Sequence, residues 1–225
     1  MIVLERMPHE SARDYALRSL KLNISNAEIL PGSKINDQEI AACLGISRTP
    51  VREALIELSK YNLIEMYPQK ASVVAPVSYR MIREAAVTRE ALECAVVSRC
   101  CKMTDLTVFA KVAENVELMQ FYMNRKDQNK NFELDVSYHR ELFTIAGMPL
   151  SHDFLCNLEI HYRRIIGLSF YEGKEHTVVE EHHSILDAIL AHDEEKAIAS
   201  MKKHLNLNLI SKEEILKIYP DCIFD

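Results

Sequence analysis

The chain has 225 residues, of which 48% are apolar and 27% charged. That balance suits one or two folded domains with real cores and excludes wholesale disorder. The net charge of −6 is unevenly spread: residues 1–78 carry nine Lys/Arg against nine Asp/Glu, leaving 18 against 24 in residues 79–225. A neutral first part can touch DNA if its positive side chains share a face, whereas an acidic second part is repelled by phosphates.

No run reaches the roughly 18 apolar residues of a membrane span. Glu5, Arg6, His9 and Glu10 break up the first ten residues, where a secretory segment needs an unbroken apolar stretch. A cytoplasmic protein with no membrane partner is expected. The six cysteines form no CxxC pair, so they are expected to be buried thiols in a reducing compartment. The five glycines make neither a GxGxxG nor a phosphate loop, which removes the usual nucleotide-enzyme classes.

In chain order, residues 9–30 predict a helix with Tyr15, Ala16, Leu20 and Ile24 on one face, broken by Pro31-Gly32. A short helix follows, capped by Asn36 or Asp37, buried through Ile40, Ala41 and Leu44, and ended at Gly45. A third helix begins at once, with Ser47 or Thr49 as its cap and Pro50 in the first turn, where the missing N–H costs nothing. On it Val51, Leu55 and Leu58 form a core stripe, while Arg48 and Arg52 lie one turn apart on another face. The runs Leu63–Tyr67 and Ser72–Ala75 about Pro68-Gln69-Lys70-Ala71 predict a hairpin wing. The whole predicts a winged helix-turn-helix domain over residues 1–78.

From residue 79 to 225 the pattern predicts an all-helical bundle of about six helices: 79–102, 105–127, 131–145, 149–170, 176–191 and 194–217, with Thr104 and Asp193 as caps. The predicted fold class is mainly α, two domains in all.

Arginine serves a recognition helix because its fork bonds bidentately to guanine O6 and N7. Arg48 and Arg52 meet that need, as base contacts or as phosphate contacts that add affinity without preference. On spacing alone, two solvated surface arginines account for them equally well. In the second part Asp135 and His139 stand at i and i+4, so both can ligate one ion, and His182 and His204 can add nitrogens from two other helices. Zn²⁺, Ni²⁺, Mn²⁺ and Fe²⁺ all accept such a donor set. Without further context these side chains also read as ordinary core histidines.

Residues 30–74, LPGSKINDQEIAACLGISRTPVREALIELSKYNLIEMYPQKASVV, closely resemble the DNA-binding domain of the GntR family of bacterial transcription regulators, most densely at Leu44–Leu55. The resemblance implies that Arg48, Thr49 and Arg52 read an operator in double-stranded DNA. Two positions depart from the family. Gln38 stands where many members carry a DNA-contacting arginine, and Ala71 stands where the wing has glycine, a residue that tolerates positive φ. Lys70 keeps the wing's charge.

Residues 79–210 resemble the helical FCD domain of the FadR subfamily, through Arg89-x-x-Leu92-Glu93, Asp135-x-x-Tyr138-His139, Glu181-His182 with Ile185–Ile189, and Asp193-x-x-x-Ala197 through Met201-x-x-His204-Leu205. The resemblance implies a divalent metal on Asp135, His139, His182 and His204, with a small carboxylate as effector. His182 is preferred to His183 by register with Ile185, Leu186 and Ala188. For the carboxylate the candidates are Arg89 and one of Arg163 and Arg164, since adjacent helical residues point about 100° apart. Met148 stands where the family has asparagine, and no ligand role is carried there.

The function expected from the sequence is therefore an effector-responsive transcription regulator, acting as a homodimer on a palindromic operator. Two rivals stand beside it: a metal-dependent enzyme with an accessory DNA-binding domain, and a DNA-binding dimer with no effector. The first lacks an HExxH motif and an evident general base.

Overall fold

A computed structural model describes residues 1–67, 71–125, 127–158, 160, 161, 163, 164, 175–205, 216, 223 and 224. Backbone contacts group them into two units. One takes the described residues within Met1–Arg83, Asn157–Phe170 and Ile210–Asp225, and the other those within Glu84–Cys156 and Tyr171–Leu209.

The first unit is built on three helices. Helix α1 (Ala12–Ser25) opens at Ser11, whose hydroxyl oxygen accepts the Asp14 N–H. It stops at Asn26, ahead of the expected Pro31-Gly32 break, because Ala27 takes a positive φ of 58° that no right-handed helix can continue. Helix α2 (Asp37–Leu44) is capped by Asn36, whose side chain accepts the Gln38 N–H, and ends on Gly45 in the left-handed region at φ 65°. Helix α3 (Arg48–Lys60) follows Ser47, which takes the extended cap conformation with no side-chain cap bond. Tyr15, Ala16, Leu20, Ile24, Val51, Ala54, Leu55 and Leu58 close one core with Leu63, Ile64 and Val74.

Strands β1 (Lys34–Ile35), β2 (Ile64–Glu65) and β3 (Ser72–Val74) form an antiparallel sheet in the order β1-β3-β2, with Ile64 opposite Val74 and Ile35 opposite Ser72. The β2–β3 pair is the expected wing hairpin. Strand β1 escaped the sequence reading because two residues carry no periodicity. So did the parallel pair of β4 (Val77–Ser78) and β5 (Ile223–Phe224).

This unit is also discontinuous in sequence. Ile160 is buried in its core, His161 Nε2 lies 2.9 Å from the Tyr61 carbonyl, and the Arg164 guanidinium donates to the carbonyls of Ala75 and Pro76. A partition at residue 78 cannot show this, because these are contacts between residues roughly 90 to 100 apart in the chain.

The second unit is helical among its described residues. Its elements are α4 (Tyr79–Cys100, which begins in the first unit), a 3₁₀ turn at Leu106–Phe109 leading into α5 (Ala110–Asn124), α6 (Gln128–Ile145), α7 (Pro149–Leu158), α8 (Glu175–Leu190) and α9 (Glu194–Leu205). Asp105, rather than Thr104, caps the 3₁₀ turn, its carboxylate accepting the Thr107 N–H. Asp193 accepts the Lys196 N–H as expected. Val96, Val97, Val112, Val116, Leu142, Phe143, Ile185, Ile189 and Met201 make its core.

Cys43 corrects the expectation of buried thiols: it is exposed on α2, on the side of the helix away from Ala41 and Leu44. Cys100 and Cys101 are buried, and burial pushes the Cys100 thiol up to about 12. No helix of the described residues is long and apolar enough to cross a membrane.

Candidate functional site

The expected DNA face lies on α2 and α3. Arg48 and Thr49 open α3 and Arg52 follows one turn on, all exposed, while Val51 and Leu55 turn into the core. Gln38 is exposed in the first turn of α2. Lys70 lies outside the described residues, and Ala71 is exposed.

One residue that the sequence reading named only as a possible cap joins this face. Asp37 Oδ1 lies 2.9 Å from Arg48 Nη2 and Asp37 Oδ2 lies 2.5 Å from Arg52 Nε. Burial works against its ionisation, but the two guanidinium groups prevail and hold the carboxyl below its ordinary value.

The second cluster is buried. Asp135 and His139 come from α6, His182 from α8 and His204 from α9, and one ligand atom from each lies within 4.8 Å of all the others. His139 Nε2 is 3.2 Å and His182 Nε2 is 3.3 Å from His204 Nε2, while Asp135 Oδ1 is 3.5 Å from His182 Nε2 and 3.8 Å from His139 Nε2. All three imidazoles are buried, with Asp135 partly exposed at the edge. His182, not its neighbour His183, brings its ring to the cluster.

Two glutamates set the imidazole protons. His139 Nδ1 is 2.7 Å from Glu93 Oε2, and His204 Nδ1 is 3.2 Å from Glu181 Oε2. A carboxylate only accepts, so each Nδ1 carries a proton and each Nε2 is turned towards the cluster. The facing Nε2 atoms of His139 and His204, 3.2 Å apart in a buried site, can share a proton or ligate one cation. Ligands at ~2.0–2.1 Å from a zinc-like ion in tetrahedral array stand ~3.3 Å apart. The three closest separations, 3.2, 3.3 and 3.5 Å, fit that edge, so the donor set suits a divalent cation.

Electrostatics favour the ligand forms. Burial holds the His182 imidazole well below its ordinary value, helped by the His204 and His139 rings, and burial lowers His204 despite the Glu181 hydrogen bond. Glu93 is pulled the other way: burial opposes its charge, but His139 and Arg89 overcome that and hold it at about 2. Tyr138 stacks on the His182 ring at 4.1 Å between centroids and donates its hydroxyl proton to the His182 carbonyl. The sequence reading had Glu93, Glu181 and Tyr138 only as parts of motifs. Their positions, beside Arg89 by one turn and adjacent to His182 and His139, were the available signal.

Of the three arginines expected at an effector pocket, Arg89 belongs with this cluster, its Nε 3.0 Å from Glu93 Oε1. Arg164 is fully buried in the first unit, its guanidinium donating to the Ala75 and Pro76 carbonyls, acceptors that a buried guanidinium needs. Arg163 is half-buried in the same unit.

Comparison with known proteins agrees with this geometry. Residues 14–74 match the bacterial regulatory proteins of the gntR family, and residues 84–207, more than half of the chain, match the FCD domain. The chain is 29% identical over 199 residues to the HTH-type transcriptional repressor RspR of Escherichia coli K12, covering 88% of this chain and 87% of that one. It is 27% identical over 199 residues to the HTH-type transcriptional regulator McbR of the same strain, covering 84% and 87%. The solved structure of E. coli McbR/YncC superposes with a TM-score of 0.78 over 93% of this chain and 99% of that chain at 22% identity, and so shares its fold. The matched families and relatives are transcription regulators rather than enzymes, which removes the metal-dependent enzyme as a rival. The chain belongs to the GntR family of transcription regulators, with a DNA-binding helix-turn-helix domain joined to an FCD domain, the architecture of its FadR-like subfamily.

Proposed function

We propose that the protein is a metal-dependent, effector-responsive regulator that acts as a homodimer on a palindromic operator, with Arg48, Thr49 and Arg52 on the bases or phosphates and Gln38 and Lys70 as flanking contacts. The observation that carries the effector half is the convergence of one carboxylate and three imidazoles within 4.8 Å, two of the imidazoles turned Nε2-inward by Glu93 and Glu181. Asp135, His139, His182 and His204 would hold Zn²⁺, Ni²⁺, Mn²⁺ or Fe²⁺. Such an ion, when bound, supplies a Lewis-acidic anchor for the carboxylate of a small organic acid.

Arg89 supplies the cluster's positive charge, and Glu93 holds that guanidinium beside His139. RspR is a transcriptional repressor, and we extend that sense of regulation to this chain. An effector shifts DNA affinity only by as much as its own affinity differs between the two states of the dimer.

The test is elemental analysis by mass spectrometry of protein dialysed without chelator, beside His139→Ala. Near one metal per chain, lost in the variant, is the expected outcome. A wild-type protein that stays empty after metal is supplied overturns the metal centre and leaves a DNA-binding dimer whose histidines are core residues.

A further inference from the structure

We propose that Asp37 is a positioning residue for DNA recognition: its carboxylate divides between Arg48 and Arg52 and holds their guanidinium groups side by side, trading general affinity for DNA against discrimination between sequences. This rests on the reading of α3 as the recognition helix.

The two arginines stand four residues apart on one helix face, where like charges repel. Asp37, in the first turn of α2, places one oxygen on each of them. The anion is the covered member, its side chain 18% exposed against 51% and 61% for the cations, so the guanidinium groups remain presented outward.

The bonding atoms matter. Arg52 is held through Nε, which leaves both of its terminal nitrogens for a bidentate contact with guanine O6 and N7. Arg48 is held through one Nη, which leaves its Nε and other Nη. Asp37 therefore fixes direction without occupying the whole of either fork. It also reduces the local charge of the pair from +2 to +1, which lowers the attraction for phosphates of any sequence. Pairs this exposed contribute little to folding, so orientation and charge are what the triad supplies.

The experiment uses full-length protein and fluorescence anisotropy with two probes: a duplex recovered from a random-sequence pool by the wild-type protein, and the same duplex with its central bases scrambled. Asp37→Asn is expected to bind the scrambled duplex more tightly than wild type does. Its ratio of selected to scrambled affinity should fall by about tenfold, the discrimination of one good bidentate contact. Its log affinity should depend on log salt with a slope steeper by about two, one added charge facing phosphate in each half-site of the dimer. Asp37→Glu, which keeps the charge, should retain the wild-type ratio.

An unchanged ratio and salt slope in Asp37→Asn, with Arg48→Ala and Arg52→Ala both weakened, overturns the positioning role alone. Wild-type binding by both arginine variants overturns the recognition-helix reading and the Asp37 proposal with it. A melting curve of Asp37→Asn, expected to match wild type, separates both outcomes from unfolding.

Discussion

The molecule holds two clusters of opposite character, each built around carboxylates shared with basic side chains. In the first unit Asp37 joins Arg48 and Arg52 at the surface, across a turn of only a few residues between α2 and α3. In the second unit Glu93 joins Arg89 and His139 with a side chain 1% exposed, and Glu181 backs His204. The same chemistry does different work because the dielectric differs. At the surface, the carboxylate steers exposed arginines at little cost, and salt screens the pairs. Buried, it must be fully bonded, and it sets which imidazole nitrogen keeps its proton.

The largest expected effect tests the buried member. Glu93→Ala removes the buried carboxylate between Arg89 and His139, and urea unfolding should register a loss of about 3–5 kcal/mol, the range for breaking a buried pair by removing one partner. The isosteric Glu93→Gln should fold better yet bind metal about 10- to 100-fold more weakly, because the residue behind a ligand orients it and tunes its basicity. Metal affinity equal to wild type in Glu93→Gln would show that His139 keeps its orientation without that charge.

The pH response sharpens the contrast further. His182 and His204 have imidazoles held below their ordinary value of 6.5 by burial, so the unfolded chain binds more protons than the folded one as pH falls below that value. Metal-free protein should therefore lose stability as pH falls below about 6.5, by at most about 1.4 kcal/mol per pH unit for each histidine. Glu93 has the opposite shift, from 4.5 to about 2, so its contribution is fully present above 4.5 and is lost only as pH falls through the interval below it. A thermal melt series from pH 7.5 to 5 should show the histidine loss alone, and a flat series would contradict the burial of uncharged imidazoles.

The smallest effect belongs to the surface cluster. Asp37→Ala should change unfolding stability by no more than about 1 kcal/mol, and even that difference should shrink at high salt. A loss as large as that of Glu93→Ala would erase the distinction between the two clusters.

The two sites were also unequally legible. Asn36, Gly45 and the Val51, Leu55 and Leu58 stripe are local signals, and α2, α3 and their exposed arginines stand where spacing put them. The four residues of the buried His/Asp cluster were named through i, i+4 spacing and resemblance. Glu93 and Glu181 had no assigned role, since a glutamate on a helix looks alike whether it meets water or an imidazole. Arg164 shows the limit most plainly: spacing on its helix gave no sign that the side chain donates to the Ala75 and Pro76 carbonyls, which lie far back in the chain.

By itself the sequence determined the helical periods, the cap at Asp193, a cap at Asn36 or its neighbour Asp37, the wing strands, and the residue types able to bind DNA and metal, because each is a matter of neighbours within a turn or two. Only the tertiary structure decided which carboxylate stands behind which imidazole, that Asp37 is shared by two arginines, and that Ile160, His161 and Arg164 pack within the first unit. Those outcomes depend on burial and on partners from other elements, and a buried charge or ring nitrogen takes whatever acceptor the packed chain brings to it.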